Sequence, residues 1–73
     1  MILMHVTLGV PVEAGDVVVC RDDETWVVAD PIGREPHKPG STGRVYVEEP
    51  HKNDTWTREF FPSVFDMQWT DES

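Results

Sequence analysis

Three histidines and one cysteine are the residues of this chain best suited to metal binding or nucleophilic attack: His5, His37, His51 and Cys20. A structural zinc site needs four ligands, normally in close-spaced pairs. No pair here has that spacing and only one thiol is present, so no metal is expected. Cys20 follows a run of valines and reads as a small core residue. The neighbouring Arg21 is its one feature that could favour a thiolate. Asp22, Asp23 and Glu24 form an acidic run, but consecutive acids between two apolar segments are the usual solvated tip of a hairpin. Neither a calcium-loop pattern nor a second acidic motif accompanies them. The chain also lacks a nucleophile elbow, a phosphate-cradling glycine loop and a paired acid and base in a recognisable setting. We therefore expect neither an enzyme nor a cofactor, and look for binding chemistry instead.

The residues suited to binding are basic and aromatic. Arg34, Lys38 and Arg44 lie in the stretch PIGREPHKPGSTGR, Pro31 to Arg44, which carries +2 while the rest of the chain carries −10. Its prolines remove backbone donors and its glycines raise the entropy of ordering, so the stretch reads as one long irregular loop. Loops of that length are commonly functional. Tyr46 and Trp56 are the aromatics expected at the surface, since tyrosine, tryptophan and arginine are enriched where interfaces concentrate their energy. Arg34, Lys38, Arg44, Tyr46 and Trp56 are thus the expected partner-binding residues.

The elements that would position them are β-strands. Val17–Arg21 and Thr25–Asp30 are β-rich runs separated by three acids, which predicts a hairpin. GRVYVEE predicts a third strand, with Val45 and Val47 inward and Arg44, Tyr46 and Glu48 outward. TWTREFF predicts a fourth that stops at Pro62, and PSV a turn or short 3₁₀ segment. Phe65, Met67 and Trp69 alternate with polar residues as a fifth strand. The opening LMHVTLGVPV can add an edge strand, and residues 70–73 are expected to fray. The predicted core comprises Val17, Val19, Val27, Val45, Val47 and Phe61, with Trp26, Phe60, Phe65 and Trp69 in or near it. No helical periodicity or internal repeat appears. The expected fold is one mainly β domain over residues 1–73, a small five-stranded antiparallel SH3-like barrel or sheet with a long loop. Fold class alone does not specify function.

Length and charge narrow the partners. Seventy-three residues make a single domain, of a size at which one core supplies only about 3 to 5 kcal/mol. A net charge of −8 disfavours direct binding to nucleic acid phosphates. The lone cysteine fits a reducing compartment such as a cytoplasm. The opening MILMHVTLG resembles neither a signal peptide nor a membrane span, and Met1 and Met4 are both possible starts. Two binding readings remain open on these residues: an SH3-like adaptor for proline-rich peptides, and an acidic imitation of nucleic acid directed at a basic protein. The adaptor reading lacks the early tyrosine motif of peptide-binding SH3 domains, because VTLGVPV contains no aromatic.

From MHVTLGVPVEAGDVVVCRDDETWVVADPIGREPHKPG through FFPSVFDMQWTDES, the sequence resembles the small RNA polymerase-binding transcription regulators of lytic Xanthomonas phages. The resemblance spans the whole chain and implies a monomeric bacteriophage protein acting in the host bacterial cytoplasm. It implies binding to the β′ N-terminal region and the β flap of RNA polymerase. Inhibition of initiation by displacement of the σ factor, and antitermination at intrinsic terminators with possible elongation-factor partners, are implied with it. It carries no contact residues, since no motif defines such proteins.

Overall fold

The computed structural model describes residues 1–50 and 57–71. Its elements in chain order are β1 Ile2–His5, β2 Val10–Pro11, β3 Val17–Val19, β4 Thr25–Arg34, β5 Arg44–Glu48, β6 Arg58–Phe60, a 3₁₀ turn at Pro62–Phe65, and β7 Met67–Thr70. The chain is mainly β, as expected. Its strands divide between two antiparallel sheets, of order β2-β1-β7 and β3-β4-β5-β6, in place of the single five-stranded barrel or sheet that the sequence suggested. The extra strands come from the opening segment. Gly9 N–H bonds to His5 O at 2.8 Å with Gly9 at φ 70°, which turns the chain back so that β2 pairs with β1. β1 is accordingly a central strand, with β7 on its other side in register Ile2↔Thr70 through His5↔Met67.

The β3–β4 hairpin forms as predicted, pairing Val17↔Val27, Val18↔Trp26 and Val19↔Thr25. Its tip closes with Cys20 N–H to Glu24 O and Asp23 N–H to Cys20 O, both at 3.0 Å. Asp23 takes a left-handed φ of 62°, a conformation that aspartate tolerates better than most residues. β4 runs farther than the sequence suggested. It continues through a cis Asp30–Pro31 peptide to Arg34, with the register against β5 shifting between Val28 and Gly33.

The two sheets enclose one core. Leu3 and Met67 come from the first sheet, Val18, Trp26, Val28, Val45 and Val47 from the second, and Val12, Cys20 and Phe65 from the connections. Trp26, Phe60 and Phe65 form an edge-to-face chain with ring centroids 5.3 and 5.4 Å apart. The Trp69 indole N–H donates to Arg44 O at 3.1 Å and ties β7 to β5.

The faces of β3 and β4 are the reverse of the prediction. Val17 and Val19 are exposed, Val27 is half-buried, and Val18, Cys20, Trp26 and Val28 fill the interior. A period of two fixes which residues share a face but not which face is buried, and the valine run is apolar on both. Trp26 decides the outcome, because burying the indole places its alternate neighbours inside. Phe61 also leaves the predicted core and is 54 % exposed. Val45 and Val47 are fully buried, as expected.

Candidate partner-binding surface

Arg34 ends β4 and Arg44 begins β5, and the two are direct cross-strand partners. Like charges placed opposite one another are unfavourable in a sheet. Here the backbone imposes the arrangement. At Gly33 a side-chain carbon would lie 2.2 Å from Arg44 O, so only glycine permits this approach of β4 to β5. At Gly43, φ is 73° and a side-chain carbon would meet Arg34 O at 2.6 Å and the Trp69 ring at 2.7 Å. Two glycines therefore hold two arginines side by side.

The segment joining them is shorter and more ordered than the long irregular loop predicted for Pro31 to Arg44. Pro31 to Arg34 belong to β4 and Arg44 to β5, which leaves residues 35–43 as the connection. Within it, Lys38 opens a turn closed by Ser41 N–H to Lys38 O at 3.1 Å. Pro39 and Gly40, the latter at φ 84°, occupy the two central positions that a type II turn prefers. The Ser41 hydroxyl accepts the Gly43 N–H at 3.3 Å. Glu35, the one acid of the segment, pairs with the Met1 amine at 3.0 Å.

Among the described residues none of Arg34, Lys38 and Arg44 has a carboxylate partner. The Arg44 guanidinium lies 4.3 Å above the centre of the Phe61 ring and donates from Nη1 to Gly43 O at 2.8 Å. Phe61, expected in the core, is thus a candidate surface residue that the sequence did not suggest. The doublet Phe60-Phe61 held the signal, since in an extended chain adjacent side chains point to opposite faces. Phe60 takes the core and Phe61 is left outside, where Arg44 covers it. Stacking of this kind contributes about 0.5 to 1 kcal/mol at exposed sites and holds the guanidinium in one orientation.

Tyr46 lies two residues beyond Arg44 on β5 and is half-buried, opposite Glu59 of β6. It lines a cleft of about 390 Å³ with Asp30, Pro31 and Glu59, so its surroundings are acidic. Tyr46 is therefore set apart from the basic corner in charge. Trp56 lies outside the described residues. The other side of the connection, through Pro36, Ser41 and Thr42, borders a second cleft of about 520 Å³ that Pro62 and Trp69 also line.

The chain matches no protein-family model, no curated protein and no solved structure. Cys20 is buried and unbonded, in keeping with a core role. Among the described residues no three of His, Cys, Asp and Glu come together as a metal site. His5 Nε2 lies 3.0 Å from Asp16 Oδ2. Asp16 also accepts the Glu13 N–H at 2.9 Å. That backbone donor first, and His5 second, hold its carboxyl below the ordinary range. The pair joins β1 to the start of β3. No helix among the described residues is long and apolar enough to cross a membrane.

Proposed function

We propose that this chain is a regulator of bacterial RNA polymerase that acts by occupying protein surfaces, with no chemical step of its own. The observation that carries the reading is the basic corner. On a chain of net charge −8, two cross-strand arginines have no carboxylate partner among the described residues, Arg44 lies over an exposed phenylalanine, and Lys38 sits on the turn that joins their strands. Arginine stacked on an aromatic ring is the composition of an interface anchor, and its orientation is set before any partner arrives. The resemblance of the whole sequence to polymerase-binding regulators of Xanthomonas phages supplies the partner: the β′ N-terminal region and the β flap. Binding there would shift the enzyme away from the state that holds σ and from the state that a terminator hairpin requires, giving inhibition of initiation and antitermination. Elongation factors would join through the polymerase.

The test uses purified Xanthomonas RNA polymerase. Immobilised protein should retain core enzyme through β and β′, and its addition to holoenzyme should release σ in proportion to occupancy. Failure to retain core enzyme, or retention with σ fully bound, would overturn the proposal.

A second reading is an SH3-like adaptor. The 3₁₀ turn at Pro62–Phe65 immediately before β7 supports it, as does the cleft at Tyr46 and Pro31. It predicts that proline-rich peptides perturb Tyr46 and leave Arg34 untouched.

A further inference from the structure

β3 is an edge strand, and its backbone phase is fixed by its neighbours. Val28 N–H donates to Asp16 O at 2.9 Å and Cys20 N–H to Glu24 O at 3.0 Å. In an antiparallel ladder alternate residues exchange both bonds with the partner strand, so Val18 and Cys20 face their backbone groups toward β4, and the Asp16 carbonyl does the same while its N–H turns to Glu13 O. Val17 and Val19 face theirs away, with no strand beyond among the described residues. Natural edges are usually blunted by lysine, proline or a bulge. β3 itself carries neither lysine nor proline, and its one bulge lies just before its first residue, where Gly15 and Asp16 together oppose Val28. Its valines are 69 and 55 % exposed, and Leu8 and Val10 extend the apolar surface past its start, around a groove that Val17 also lines.

The charges next to this edge are four acids and one exposed cation, Arg21, so the balance is acidic. Glu13 precedes β3, and Asp22, Asp23 and Glu24 follow it at the hairpin tip, all exposed. No cation pairs with the three tip acids among the described residues.

We infer that the β3 edge is a docking site for an extended polypeptide segment, apolar and β-branched at its centre and flanked by lysine or arginine, which adds to the sheet as a strand beside Val17 and Val19. Backbone bonds from these two residues would give affinity, contact with the exposed valines would add apolar burial, and the acids at either end would select basic flanks. A second copy of this chain fits poorly. Antiparallel pairing about Val18 would bring the tip acids of one chain against Glu13 of the other, between two bodies of charge −8 each. The site is separate from the basic corner, so its test does not depend on the polymerase reading.

The probe is the synthetic peptide KKTVTVTVKK, with EETVTVTVEE as its charge-reversed counterpart, added to isotope-labelled full chain. The lysine-flanked peptide should slow hydrogen exchange at the Val17 and Val19 amides and bind about tenfold more tightly than the glutamate-flanked one, an advantage that salt erodes. Val19→Pro removes an outward N–H that β4 does not use, and should abolish binding at an unchanged thermal midpoint. Three results would overturn the inference: equal affinity for the two peptides, no slowing at Val17 and Val19, or a chain that is already dimeric with these amides protected. The exchange measurement on the parent chain decides the matter even where the proline variant folds poorly.

Discussion

The two ends of β4 show opposite ways of presenting a surface. At its start, the partner strand β3 leaves two valines and their backbone groups open, ringed by acids. At its finish, β4 meets β5 so closely that only glycine fits at position 33, Arg34 stands opposite Arg44, and Arg44 lies over the Phe61 ring. The basic corner is built by constraint, whereas the edge is open because no strand among the described residues pairs with its outer side. The difference teaches where order precedes binding. Arg44 needs little rearrangement to meet a partner, while the edge gains its full hydrogen bonding only when a strand is added.

The largest contrast is expected within β3 itself. Val18 lies in the core and Val17 on the open side, so Val18→Ala should cost about 1 to 2 kcal/mol by lost burial and residual cavity. Val17→Ala should stay within about 0.5 kcal/mol. Denaturant midpoints of the two variants check this, and equal losses would mean that the edge is covered. Next comes the corner. Gly33→Ala forces β4 from β5 and should cost about 1 to 3 kcal/mol, as overpacking does. If its stability and its Arg34 and Arg44 signals are unchanged, the close approach does not hold the arginines in place.

A smaller effect belongs to pH. The Asp16 carboxyl is held below its ordinary value of 3.8 by the Glu13 N–H and then by His5. A group whose folded value is depressed stabilises the fold above its unfolded value, and that contribution is lost as pH falls through the folded one. Stability should therefore decline on acidification below about pH 4, and Asp16→Asn should flatten that part of the profile. An identical acid limb in parent and variant would show that Asp16 does not contribute to it.

The hairpin, the inward Val45 and Val47, the 3₁₀ turn after Phe61 and the mainly β class were legible because local turn chemistry and alternation determine them. Three features were not. The parity of β3 and β4 was hidden by a valine run that is apolar on both faces, and only the burial of Trp26 resolves it. β4 was expected to end at Asp30, because proline and glycine read as loop residues, yet Pro31 and Gly33 are accommodated where the register against β5 shifts. The role of Phe61 depends on Arg44, a partner remote in sequence that only the β5–β6 pairing brings near. The basic residues stood out as a group in the sequence, but their pairing across two strands required the register.

The most direct measurement is the affinity of RNA polymerase core for the parent chain and for Arg34→Glu/Lys38→Glu, taken beside their thermal midpoints across a salt series. Both side chains are exposed and free of carboxylate partners among the described residues, so the midpoint should hold. Affinity should fall by about tenfold or more, and association should slow with salt more steeply in the parent than in the variant. Unchanged affinity at an unchanged midpoint would contradict the account and remove the basic corner from the interface.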